Sequence, residues 1–365
     1  MPPHQPAAGD VAAQAHLAAG ADIVDQLIPA RRSGEPETLL EFGRRRLGRG
    51  AVAGFLDPFI TGVYAGRLDR LGVDAVPRLA VFEREHGSLF KALIAARKAR
   101  READPDRRGP PPLVSFPDGL GALPRRLVEA LEGGVLTGHR ATELRREPDG
   151  FRVVCGGSGA ERVVTADAVV LAVPADVARR LLGDELGAES RDFLEGIDHP
   201  FVATVGLGYR KEQIAHDLDA FGVLIAGDSR LPAAADVLGV LFPSSIFDGR
   251  APAGGATLTV MIGGARDPGA ADLDDAGLVA RASSAVTQLL GAQGPPSVSH
   301  VARWPRAIPQ YAPGHAARIE SLRREVAAHG GLALAGNYLD GIGVEGAVAS
   351  GDAAARALST QAIDT

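Results

Sequence analysis

The stretch that most constrains this chain runs from Leu332 to Arg356, beginning Leu332-Ala-Leu-Ala-Gly-Asn-Tyr-Leu-Asp-Gly-Ile-Gly-Val344. A short apolar strand, Leu332 to Ala335, meets a polar turn spaced by glycines, and a helix of small residues follows. In such a strand–turn–helix the first N–H groups and the positive end of the helix dipole face whatever occupies the turn. Small residues let a flat or anionic group come close to the backbone. The pattern predicts the edge of a cofactor docked on a helix N-terminus.

Composition narrows the setting. At 365 residues, 45% apolar and 23% charged, the chain has room for two or more domains with ordinary globular cores. A net charge of −6 argues against a nucleic-acid partner, which would need a concentrated basic surface. The single cysteine, Cys155, excludes an internal disulfide and a cysteine-rich metal site, and in Phe151-Arg-Val-Val-Cys155 it reads as a buried strand thiol. No apolar run approaches the roughly 20 residues of a membrane span. The opening Met1-Pro-Pro-His-Gln-Pro lacks the order of a signal peptide, so a cytoplasmic location is expected.

Residues 10 to 104 read as helical. Thr38 and Glu41 have capping-box spacing, a second helix is expected over 51–59 with Pro58 bending or ending it, and 62–66 reads as a turn. One amphipathic helix is expected from Ala80 to Arg101, and residues 104–112 read as a linker. Beyond it the texture becomes α/β. A helix over 119–131 would place Leu120, Leu123, Leu127 and Leu131 on one face, with strands over 135–144, 151–155 and 168–173. Runs over 203–209, 222–226, 237–242 and 256–263, separated by turn residues, suggest an antiparallel sheet; a helix over 274–290 follows. The fold class is therefore α/β (α+β).

No serine–histidine–acid set or zinc spacing stands out, and the nine histidines are scattered, which favours surface or loop positions. The basic clusters at 31–32, 44–46 and 97–101 read as solvated helix faces, with a membrane-surface contact as the sharper alternative. Trp304 sits in a proline-stiffened loop, where a core anchor and a contact with a planar cofactor are equally open readings. Phe221-Gly-Val-Leu224 reads as plain strand packing from periodicity.

Taken together, several segments resemble the flavin-dependent protoporphyrinogen and coproporphyrinogen oxidases of haem synthesis. They include Pro58-Phe-Ile-Thr-Gly-Val-Tyr-Ala-Gly66, Glu85-His-Gly-Ser-Leu89, Gly119-Leu-Gly-Ala-Leu-Pro124, Phe221-Gly-Val-Leu224 and Leu238-Gly-Val-Leu-Phe-Pro-Ser-Ser-Ile-Phe247. Met261-Ile-Gly-Gly264, Ile308-Pro-Gln-Tyr-Ala-Pro-Gly-His315 and Ala335-Gly-Asn-Tyr338 complete the set. The resemblance runs over nearly the whole chain from about residue 20.

The resemblance implies FAD as cofactor and a porphyrinogen as substrate. Hydride would pass to flavin N5, oxygen would regenerate the cofactor, and no side chain would be an obligatory acid or base. It aligns Ala141 with a position at the adenine end of FAD, Trp304 with one beside the flavin, and Ile342, Gly343 and Val344 with the turn at the isoalloxazine. Phe221, Gly222, Leu224 and Leu238 align with apolar positions of the tetrapyrrole pocket. It further implies a helical subdomain over 1–108, FAD-binding parts over 109–195 and 299–365, and a substrate domain over 196–298. A homodimer and a peripheral membrane contact stand as further expectations.

One departure belongs to the same comparison. The family pattern opens with a strand and a G-x-G-x-x-G turn for the FAD pyrophosphate, and neither Gly43 to Gly48 nor Gly341 to Gly343 has that spacing and context. The FAD-binding Rossmann-like domain is therefore expected to be incomplete and FAD weakly held, with a central parallel strand lacking. A late start or a divided gene is the leading explanation. An inactive remnant or porphyrin-binding module is the alternative, and a related amine oxidase or carotenoid desaturase the third.

Overall fold

Thr38 opens the first described helix as its capping box requires. Its hydroxyl accepts from the Glu41 N–H at 3.2 Å, and the Glu41 carboxylate accepts from the Thr38 N–H at 2.9 Å. A computed structural model describes residues 35–103, 113–157, 161–227, 232 and 237–361. It divides the chain into two compact units, Met1–Val114 with His199–Pro313, and Ser115–Asp198 with Gly314–Thr365. The expected linker 104–112, the basic pair 31–32 and the expected helix before residue 35 lie outside the described residues.

In the first unit α1 (Leu39–Arg46) leads into α2 (Gly48–Ala51), a π-turn (Val52–Leu56) and α3 (Asp57–Tyr64). Pro58 does not end this run, one of the two outcomes expected of it. The turn before it is widened, so the Asp57 N–H donates to the Val52 carbonyl five residues back and leaves room for the ring. The expected turn at 62–66 starts later, at Ala65, where φ is 49°. The single helix expected over 80–101 is two, α4 (Pro77–His86) and α5 (Leu89–Ala103). Gly87, at φ 67°, caps the first, its N–H donating to the Glu83 carbonyl.

A five-stranded antiparallel sheet forms the rest of this unit. Its strands are β5 (Val202–Arg210), β6 (Gly222–Leu224), β7 (Gly239–Leu241), β8 (Gly255–Gly263) and β9 (Val298–Trp304), in the order β6-β7-β8-β5-β9. Alternate residues Val205, Leu207 and Tyr209 of β5 and Leu258, Val260 and Ile262 of β8 bury one face. They pack with Leu278, Ala282, Ala285, Val286 and Leu290 of the helix Asp275–Leu290, whose N-cap Asp274 accepts from the Gly277 N–H at 2.8 Å. Period two meets period 3.6 on one shared face, which gives this unit its core.

The second unit holds an antiparallel meander of β1 (His139–Glu147), β2 (Gly150–Gly157) and β3 (Arg162–Ala166). Residues 135–138, read as strand, precede it. The short β4 (Val169–Leu171) pairs in parallel with β10 (Leu332–Leu334), and among the described residues these two form a sheet by themselves. Leu332 and Leu334 face a core of Leu181, Leu182, Ile319, Leu322 and Tyr338, while Ala333 and Ala335 pack on Ala354 of the C-terminal helix Val344–Gln361. The helix read at 119–131 is Ala122–Ala130, and it buries none of its residues. The fold class expected from sequence is borne out: helices mixed with antiparallel sheets.

Candidate functional site

Three of the motif segments converge on one residue of the first unit. Ala65 ends α3 in the left-handed region and its carbonyl accepts the Ala265 N–H at 2.8 Å. Gln310 donates to the carbonyls of Tyr64 at 2.9 Å and Ile308 at 3.0 Å. Segments 58–66, 261–264 and 308–311 are thereby tied into one frame. A Cβ at Gly264, itself at φ 78°, would lie 2.8 Å from the Ala65 carbonyl oxygen, so the frame closes only around glycine.

Beside that frame lie the positions aligned with the tetrapyrrole pocket. Gly222 and Leu224 are in β6, with Phe221 just before it; Leu238 precedes β7, and the Ile225 N–H donates to its carbonyl at 3.2 Å. Leu238 is buried with Ala65, Val202 and Met261. Phe221 is 53% exposed and Leu224 40% exposed, so plain core packing does not account for them. Leu224 lies along α3, where a Cβ at Gly62 would come within 2.4 Å of its Cδ2. The result is an apolar wall, partly open to solvent, on a backbone that leaves no slack.

Trp304 departs from its expected setting. It is the last residue of β9, paired with Val202, and not part of a loop. At 55% exposure it anchors no core. It also sits on the opposite edge of the sheet from β6, four strand spacings or roughly 19 Å across. The structure therefore brings Phe221, Gly222, Leu224 and Leu238 together and leaves Trp304 apart from them.

In the second unit Ala141 falls on a β-bulge. It pairs with Cys155 while Glu143 pairs with Val154, leaving Thr142 unpaired; its hydroxyl donates to the Val154 carbonyl at 3.1 Å. A groove of about 510 Å³ runs alongside, lined by Gly138, His139, Arg140, Thr142, Gly156 and Gly157. Cys155, in the middle of β2, is half-buried.

The turn that opened the sequence argument keeps its expected form. Ile342 and Gly343 lead into the C-terminal helix, whose first helical bond joins the Ala347 N–H to the Gly343 carbonyl at 3.0 Å. The N–H groups of Val344, Glu345 and Gly346 precede that bond and have no acceptor among the described residues. Val344 is 55% exposed, and a Cβ at Gly343 would meet open space. Three free donors on the positive end of an 18-residue helix can serve the carbonyl or anionic edge of a ligand.

Two expectations about single residue types need correction. Arg45 and Arg46 are not a solvated face: Arg46 is fully buried, and its Nη2 lies 2.6 Å from the Glu83 carboxylate, which Arg45 also contacts at 2.7 Å. His315 is buried as well, its Nε2 2.7 Å from the Tyr338 carbonyl and its ring edge-on to Phe193. Both serve packing. Among the described residues no group of histidine, cysteine and carboxylates could hold a metal ion.

Comparison with known proteins gives a consistent result. The family model described as Flavin containing amine oxidoreductase matches residues 14–359. Coproporphyrinogen III oxidase of Propionibacterium freudenreichii subsp. freudenreichii is 32% identical over 360 residues, covering 90% of this chain and 65% of that protein. Protoporphyrinogen oxidase 1, chloroplastic, of Spinacia oleracea is 31% identical over 340 residues, covering 86% and 59%. The chain thus spans less than two thirds of the length of these relatives. Among solved structures, one from Exiguobacterium sp. 255-15 shares the fold with a TM-score of 0.74 at 24% identity, over 95% of this chain and 71% of that one. Cyclohexylamine oxidase from Brevibacterium oxydans IH-35A does so with a TM-score of 0.63 at 14% identity, over 98% and 76%. The resemblance read from the sequence is borne out.

Proposed function

We propose, since the chain belongs to the flavin containing amine oxidoreductase family, that it acts in the FAD-dependent oxidation of a porphyrinogen to the porphyrin, with oxygen as acceptor. The substrate would be coproporphyrinogen III or protoporphyrinogen IX. The observation that carries this reading is the match to relatives bearing those names over 86–90% of the chain.

The exposed side chains of Phe221 and Leu224 support it, because an open apolar wall suits a macrocycle that must leave water and lie flat. Gly222 lets β6 close on β7, since a Cβ there would come within 2.3 Å of the Val240 carbonyl oxygen, and buried Leu238 lies just before β7. The free N–H groups at the start of the C-terminal helix fit the polar edge of a flavin held by Ile342, Gly343 and Val344, and the groove beside Ala141 suits its adenine end. Trp304 would lie against the planar ring. When bound, FAD supplies the two-electron acceptor chemistry that no side chain here offers. The chain's own task is to bind, orient and exclude water, so no catalytic acid or base is assigned.

The division of labour proposed is the one read from the sequence. Residues 109–195 and 299–365 serve FAD, 196–298 the substrate, and 1–108 form a helical subdomain. No helix among the described residues is long and apolar enough to cross a membrane. We place the protein in the cytoplasm as a homodimer, with peripheral membrane contact supported by Phe55, Phe59 and Val63, exposed at four-residue intervals.

The test is to purify the chain, supply FAD and record the visible spectrum of protein-bound flavin, then follow porphyrin fluorescence with each porphyrinogen. Retained flavin with porphyrin formed above the spontaneous rate is expected. Absence of both would end the oxidase reading, and porphyrin bound without flavin would replace it with a porphyrin-binding module.

A further inference from the structure

A cavity of about 470 Å³ opens in the first unit between α1, the π-turn, the turn after α3 and Arg266. Arg44, Arg49, Arg67 and Arg266 line it, against only two carboxylates, Asp57 and Asp69. The two acids are already engaged. Asp69 accepts two hydrogen bonds from Arg67, at 3.0 and 2.7 Å, while Asp57 accepts from the Gly227 N–H at 3.2 Å and faces Arg266 at 3.9 Å. Arg44 and Arg49 have no acidic partner among the described residues. A cavity carrying a local excess of two positive charges, in a chain of net charge −6, is a place where an organic anion is attracted.

The remaining walls select among anions. Leu40, Val52 and Leu68 are apolar and border the guanidinium groups, which suits an acid attached to a carbon skeleton better than a bare inorganic ion. A guanidinium also meets a planar carboxylate with two parallel hydrogen bonds.

Position then ties the cavity to the apolar wall. Asp57, in the cavity, and Gly62, under Leu224, stand five residues apart on α3, about 7.5 Å along its axis. Gly227, at the cavity, follows Leu224 by three residues. The same two segments build both surfaces.

We infer that this cavity is a carboxylate-binding site, in which Arg44 and Arg49 hold acidic side arms of a tetrapyrrole whose ring lies on Phe221 and Leu224. The ring placement rests on the porphyrinogen reading; the carboxylate site itself does not. The two arginines act as binding and orienting residues and take no part in electron transfer.

The test compares coproporphyrin III with its tetramethyl ester, which keeps the ring and removes the charges. Binding to the full chain is followed by fluorescence, alongside the double variant Arg44→Ala/Arg49→Ala. Both positions are exposed, so the variant should melt at the parent temperature. The acid should bind ~10- to 100-fold more tightly than the ester to the parent chain, and the variant should bring that ratio close to one. Equal binding of acid and ester to the parent, or a ratio that survives in the variant, overturns the proposal while leaving the macrocycle reading in place. If neither porphyrin binds, the macrocycle reading fails and glutarate decides the cavity. Saturable shifts of the Arg44 and Arg49 Nε–Hε resonances on adding glutarate would support it, and their absence would overturn it.

Discussion

Gly264 and Tyr338 show how single residues set the terms of this fold. At Gly264 a methyl group would meet both the left-handed backbone and the Ala65 carbonyl oxygen at 2.8 Å. Gly264→Ala should therefore cost at least about 2 kcal/mol, read as a lower urea midpoint with an unchanged slope. Tyr338 is fully buried and its hydroxyl has no hydrogen-bond partner among the described residues. Tyr338→Phe should leave the fold intact and raise its stability by about 1 kcal/mol. Burial also holds the Tyr338 phenol well above its ordinary value, opposed in part by nearby Arg323. The unfolded phenol ionises near pH 10 and the folded one only at higher pH, so the unfolded state loses its proton first. Stability is then intact below about pH 10 and declines above it, and the phenylalanine variant should lack that share of the alkaline loss in thermal melts recorded across the range. The two residues differ in how much of this the sequence disclosed. Both stood in motif segments, yet nothing local showed that Gly264 would meet Ala65, some two hundred positions away, or that the Tyr338 hydroxyl would go unmet.

Among the elements, the α1–α4 contact carries a cost that its sequence concealed. Arg44-Arg45-Arg46 looks like a solvated run, but the helical turn carries Arg46 inward to Glu83 of α4, 37 positions on. Removing the carboxylate that Arg45 and Arg46 share should destabilise the first unit by about 3–5 kcal/mol, since a buried guanidinium loses its counter-charge. Glu83→Ala measured by chemical denaturation checks this, with Glu83→Gln expected between the two. Capping at Thr38 and the alternation of β5 and β8 were legible because they depend on neighbours in sequence. The π-turn before Pro58 and the break at Gly87 were not, because each trades a local rule against packing elsewhere. Trp304 was misplaced for a related reason: the prolines that follow it hid the end of an edge strand.

For the molecule as a whole, the two units differ in how they close. The first seals its five-stranded sheet with the helix Asp275–Leu290. The second relies on a two-stranded parallel sheet, and its helix Ala122–Ala130 buries no residue. Parallel strands are ordinarily covered on both faces and flanked by further strands, so the second unit has the less self-sufficient architecture. The lack of a central strand is an expectation drawn from comparison with the family. The four-part division and the individual FAD contacts rest on that comparison too, and await the flavin and porphyrin measurements.

The pairing of β10 with β4 has a consequence that can be timed. The Val169 N–H donates to the Gly331 carbonyl and the Ala335 N–H to that of Leu171, so odd-numbered residues of β10 turn toward β4. The amides of Leu332 and Leu334 point to the other edge, where no described strand pairs. In deuterated water Ala333 and Ala335 should keep their protons far longer than Leu332 and Leu334, an odd–even rhythm readable residue by residue. A strand laid along that edge would slow the fast pair and silence the rhythm.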